Sequence, residues 1–207
     1  GDVSVRAGGN VSLDGGALVS VRGNGDNSSG GNVNIWADND AVAHKGALVD
    51  ASAGNSGNGG AIEFSAKNTV ELAGGEFRAD GMGGGKGGSV LIDPWNIVVS
   101  ADILRGAGGY GTLPDGGTAA GATLTLLADN ELTVNDHITV STRSVAGTTA
   151  ADHATAASTG NSGNLTLEAG SISLKSGSKL LAGADSGYSG GDVTLKATRN
   201  WTGEAKV

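Results

Sequence analysis

Trp36 sits in the run Gly31-Asn-Val-Asn-Ile-Trp-Ala37, where Val33, Ile35 and Ala37 share one apolar face and Trp36 falls on the other. An outward tryptophan on a flat β-surface is a platform on which a sugar ring can stack. Arg6 holds the equivalent place one repeat earlier, close enough in such a pattern for a cation–π contact with that ring. Tyr110 and Tyr188, both in glycine-rich loops, are further candidate glycan contacts. Each has a plainer reading: Arg6 or a loop covering Trp36, and loop packing for the tyrosines. Trp95 reads as the cover of a corner, and Trp201 as core or end cap.

Catalytic chemistry has little to build on. His44, His137 and His153 share no column, and no nucleophile motif accompanies them. Glu63, Asp93 and Glu168 project from the same face as Trp36 but fall in different repeats, without the close pairing that glycoside hydrolysis needs. Asp26, Asp50, Asp80, Asp115 and Asp185 stand near glycine turns, yet the calcium-binding nonapeptide is not repeated, so solvated turns are expected and no metal. Gly83-Gly-Gly-Lys-Gly87 lacks the hydroxyl residue and helix of a phosphate loop. Thr125, Thr166 and Thr194 align outward, but Leu127, Glu168 and Lys196 beside them spoil the second flat column that ice binding would want. Sequons at Asn10, Asn27, Asn164 and Asn200 are what an Asn/Ser/Thr-rich chain generates by accident.

The elements that must position these residues repeat. Glycine-led alternating runs begin at Gly1, Gly31, Gly60, Gly88, Gly121, Gly163 and Gly191, with spacings of 30, 29, 28, 33, 42 and 28 residues. Such a period marks a stacked array whose units bury their apolar faces against one another. Within a repeat, runs such as Val3/Val5/Ala7 are followed by Val11/Leu13 and then by Leu18-Val19, which reads as three short strands. No helical spacing is visible, and 39 glycines in 207 residues speak against helical repeats. The expected fold is an all-β, right-handed parallel β-helix of about seven coils with three short strands per coil. Asn39, Asn68, Asn96 and Asn130 each lie two residues past the first strand's close, so stacking predicts an asparagine ladder along one corner.

Composition bounds the partners. The net charge of −8 argues against nucleic acid and anionic membranes, and no apolar run approaches a membrane span. With no cysteine and 3% aromatic residues, the core must be thin layers of Val, Leu, Ile and Ala, and no cofactor is implied. The pattern is under way at Gly1 and unfinished at Val207, which reads as one β-helical segment of a longer chain. Gly1-Asp-Val-Ser-Val-Arg-Ala7 and Gly191-Asp-Val-Thr-Leu-Lys-Ala197 suggest a larger repeat of about 190 residues.

The Gly-Gly-x-Val-x-Leu-x-Ala style, Ala47-Leu-Val-Asp-Ala-Ser-Ala-Gly54 and Gly88-Ser-Val-Leu-Ile-Asp-Pro-Trp-Asn-Ile-Val-Val99 together resemble filamentous haemagglutinin-like exoproteins, the large surface adhesins of Gram-negative two-partner secretion systems. The resemblance implies a secreted, cell-surface, right-handed β-helix exported through an outer-membrane pore. It further implies attachment to a host-surface receptor or to biofilm-matrix carbohydrate. A purely structural stalk is the alternative, with a polysaccharide-processing enzyme behind it. Insertions at about 101–120 and 141–162 interrupt the pattern and are either recognition loops or tolerated surface excursions. Exposed strand edges at the ends of such a segment would permit end-to-end self-association.

Overall fold

The computed structural model describes residues 1–104, 119–145 and 149–203, the last four of these by backbone alone. The chain runs in successive passes that lie side by side. The first holds β1 (Asp2–Ala7), β2 (Val11–Leu13) and β3 (Leu18–Ser20), and the second β4 (Asn32–Ala37), β5 (Ala41–His44) and β6 (Leu48–Asp50). The third holds β7 (Ala61–Ala66), β8 (Thr69–Ala73), β9 (Glu76–Arg78) and the short β10 (Gly81–Met82). The fourth holds β11 (Ser89–Ile92), β12 (Asn96–Val99) and β13 (Ile103–Leu104), and the fifth β14 (Ala119–Ala120), β15 (Thr123–Val134) and β16 (Thr139–Ser141). A helix, α1 (Ala150–Thr155), precedes β17 (Leu165–Leu174) and β18 (Lys179–Leu181), and β19 (Val193–Gly203) closes the described chain.

These pairings overturn the expected solenoid of three short strands per coil. Eleven strands belong to one large parallel sheet, in the order β1-β4-β7-β11-β15-β12-β8-β5-β2, with β17 and β19 continuing from β15. Its two limbs meet in β15, β17 and β19, so the sheet doubles back and nearly closes around its core. From the fifth pass onward, what reads as two separate strands is a single strand of 10 to 12 residues. The remaining strands form only small sheets, β3-β6-β9, β13-β16-β18 and the antiparallel pair β10-β14. The physical reason is that alternation reports which face of a strand is buried, whereas sheet membership depends on whether backbone hydrogen bonding continues through a corner.

Register within the sheet is regular. Val3 pairs with Val33, Val33 with Ile62, Ile62 with Val90, Val90 with Leu124, Leu124 with Leu165, and Leu165 with Val193. Ile35, Phe64, Ile92, Leu126 and Leu167 follow two positions on, each at most 1% exposed. The facing limb adds Val70, Ile97, Leu132 and Ile172 to the same core. Each such side chain contributes roughly 1.5–3 kcal/mol by burial. Phe64 and Phe77 supply the one aromatic contact among the described residues, with ring centroids 5.4 Å apart.

Five of the glycines that open a pass, Gly31, Gly60, Gly88, Gly163 and Gly191, have a steric cause. A Cβ on Gly60 would collide with the Gly31 carbonyl oxygen, and one on Gly88 with that of Gly60, because the passes approach most closely there. Another expectation fails in the fifth pass, where α1 forms despite the absence of helical spacing in the pattern. Thr149 caps it in a reciprocal box with Asp152, and the alanines that follow are strong helix formers.

Candidate functional site

One corner of the large sheet, between its two limbs, gathers polar and aromatic side chains from four passes. Asn68 donates from Nδ2 to Asn39 Oδ1 at 3.0 Å, and Asn130 donates to Asn96 Oδ1 at 2.8 Å. Between these pairs the link is through backbone, Asn96 N–H to the Asn68 carbonyl at 2.7 Å. Asn130 also accepts from Arg199 Nη2 at 2.7 Å. Arg199 reaches it by crossing over Gly170, where a Cβ would collide with the guanidinium.

The fourth pass departs from its neighbours at this corner. Asn96 is in register with Thr69 and Glu131 rather than with Asn68 and Asn130. Ser89 to Asn96 is a step of seven positions, where their partners Ala61 and Thr69 are eight apart. The shortened segment is Asp93-Pro94-Trp95. Pro94 has no N–H to offer a ladder and is buried, β11 stops at Ile92, and Trp95 is thrown outward with half its surface exposed.

Trp95 and Trp36 both line an open groove of about 530 Å³, together with Ala66, Lys67, Asn68, Asp93, Pro94 and Asp129. Trp36 is half-buried and held in place, its Nε1–H donating to Asp38 Oδ1 at 2.8 Å. The same oxygen accepts from Arg6 Nη2 at 3.1 Å. The indole donation, seconded by the Arg6 charge, lowers the Asp38 carboxyl below the usual aspartate range. Asp93 is pushed the other way. Burial raises it first, and the carboxylates of Asp129 and Glu63 repel its charge further. Among the described residues, neither Asp93 nor Asp129 has a hydrogen-bond or ion-pair partner for its carboxylate, whereas Glu63 accepts from Asn34 and Ser65.

Of the residues singled out for glycan contact, Trp36 alone lines this groove. Arg6 lies beside it, spent on Asp38. Tyr188 sits 36% exposed in the loop after β18, away from the groove, and Tyr110 lies outside the described residues. Trp95, which the sequence reads as the cover of a corner, does stand at that corner, but with its indole half exposed; the sequence signal for that exposure is the one-residue shortening between Ser89 and Asn96. The structure brings Glu63 and Asp129 near enough to Asp93 for their charges to repel it, a grouping the sequence reading, which spread Glu63 and Asp93 over different repeats, did not make. Leu91 and Leu127, on that column, are half-buried.

The insertion after β16 is built differently. Arg143, 8% exposed, donates from Nη1 to the His153 carbonyl at 2.5 Å and from Nε to the Gly183 carbonyl at 3.2 Å. Its Nη2 reaches the Ala156 carbonyl at 3.2 Å and Asp185 Oδ2 at 3.3 Å. His153 is fully buried, with Nδ1 2.8 Å from Ser141 Oγ. Asp185 Oδ2 also accepts from the Ser158 N–H at 2.7 Å. Arg143 and His153 tie the described part of this excursion to Ser141 at the end of β16 and to the loop after β18, while Thr149, Ala151, Ala154 and Thr155 stay exposed.

Among the described residues no three His, Asp or Glu side chains converge as metal ligands would, and no helix is long and apolar enough to cross a membrane. Compared with family models, curated proteins and solved structures, the chain matches none. The filamentous haemagglutinin resemblance therefore rests on the quoted residues alone.

Proposed function

We propose that this chain is a binding segment of an adhesin-type exoprotein, and that it attaches to carbohydrate through the groove between Trp36 and Trp95. The observation that carries the reading is the exposed Trp95 indole beside a fixed Trp36, in an open cleft that also presents an amide (Asn68) and carboxylates (Asp93 and Asp129). Indole faces stack on the apolar faces of sugar rings, and amides and carboxylates take the hydroxyl hydrogen bonds that orient them. The surrounding sheet supplies rigidity, so little ordering cost remains to be met on binding.

Secretion, export through an outer-membrane pore and display at the bacterial surface belong to the same proposal, through the exoprotein resemblance. A glycan array probed with the wild-type chain and with Trp95→Ala tests the reading. The expected result is binding to a subset of glycans that the substitution removes. Absence of binding to every glycan would leave a spacer, whose work is to hold other segments apart.

A further inference from the structure

Resting on that reading, we propose that the sugar taken by the Trp36–Trp95 groove is cationic, a glycan of hexosamine units carrying free, protonated amines. Two carboxylates, Asp93 and Asp129, line the groove against one ammonium, Lys67. Both carboxylates lack protein partners among the described residues, although the fold readily supplies partners elsewhere. Glu168 pairs with Lys196 and Asp38 with Arg6 on the large sheet, and Glu76 with Arg78 on β9. Asp93 is partly desolvated and faces the repulsion of Asp129 and Glu63. A like-charge arrangement of this kind is relieved by a cation from outside.

The aromatic wall favours the same charge. An ammonium group over an indole face gains quadrupole attraction that a hydroxyl or an acetamide does not. A free amine on a pyranose ring would thus meet Asp93 or Asp129 while the ring stacks on Trp95. Replacing the ammonium by an N-acetyl group removes the charge-assisted hydrogen bond and leaves the carboxylates uncompensated.

The test is a tryptophan-fluorescence titration with a β-1,4-linked glucosamine tetramer, its N-acetylated counterpart and spermidine, at about pH 6 where free aspartates are ionised. The free-amine tetramer is expected to bind about tenfold more tightly than the acetylated one, the ratio that one charge-assisted contact supports. Asp93→Asn and Asp129→Asn are each expected to narrow that ratio, and Trp95→Ala to weaken the free-amine tetramer. Equal affinity for the two tetramers, or a ratio untouched by both aspartate variants, would overturn the amine preference while leaving the carbohydrate reading in place. Spermidine binding as tightly as the free-amine tetramer would show that charge alone is read, and would overturn the sugar. If neither tetramer binds while the far-UV circular dichroism is that of the folded chain, both this inference and the carbohydrate reading fall.

Discussion

The Trp36–Trp95 corner of the large sheet and the Arg143 insertion beside the small β13-β16-β18 sheet both place charge against the fold, and they resolve it in opposite ways. At the insertion, one guanidinium is buried and meets three backbone carbonyls and one carboxylate. At the corner, two carboxylates stand in an open groove and meet no protein partner among the described residues. Burying a charge is costly unless it is paired and hydrogen-bonded, so the insertion is an anchor. Leaving charges unpaired at a partly desolvated site gives up stability that a nearby lysine could have supplied. The anchor meets its charge with protein partners, whereas at the corner the amides, Trp36 and Asp38 are bonded internally and the Asp93 and Asp129 carboxylates are not.

The contrast can be broken most sharply at the anchor. Arg143→Ala should cost about 3 kcal/mol, since it strips partners from three carbonyls and from Asp185. A shift of the urea midpoint measures it, and a change below about 0.5 kcal/mol would show that the insertion is not pinned. Asn130→Ala should cost less, about 1 kcal/mol, because it removes one amide bond to Asn96 and the side-chain acceptor of Arg199, whose bond to the Asn130 backbone carbonyl remains. Trp95→Ala should leave stability within about 0.5 kcal/mol while removing glycan binding, which separates a site from a structural residue.

The smallest effect concerns pH. Asp93 has a raised carboxyl in the folded state, so its contribution favours folding at acid pH and is lost as pH rises through the folded value. Ionised Asp93 therefore opposes folding at neutral pH, and Asp93→Asn should raise the melting temperature slightly there. The gain should vanish below the ordinary aspartate range. Asp38 runs the other way. Its carboxyl is lowered, so its contribution is present above the ordinary aspartate value and fades as pH falls through the folded one. Asp38→Asn should accordingly lower the melting temperature at neutral pH and have no effect in strong acid.

Much of the backbone was readable before any coordinates. The glycine-led period placed Val33, Ile62 and Val90 as equivalent residues, and they pair in register. Alternation put Ile35 and Phe64 inward, and both are fully buried. Sheet membership was not readable, because no side-chain pattern reports whether hydrogen bonding carries through the corner at Ala128–Glu131. The helix at Ala150 was missed because its six residues span less than two turns and have no apolar face to give a period. At the site, Trp36 was visible from alternation, but Trp95 depended on a one-residue shortening that matters only once neighbouring passes are laid side by side.

The most direct measurement follows the three indole N–H resonances by heteronuclear NMR while a glucosamine tetramer is added. Trp36 and Trp95 are expected to shift together and saturably. Saturable binding that leaves both Trp36 and Trp95 where they were would contradict the assignment of this corner as the binding site.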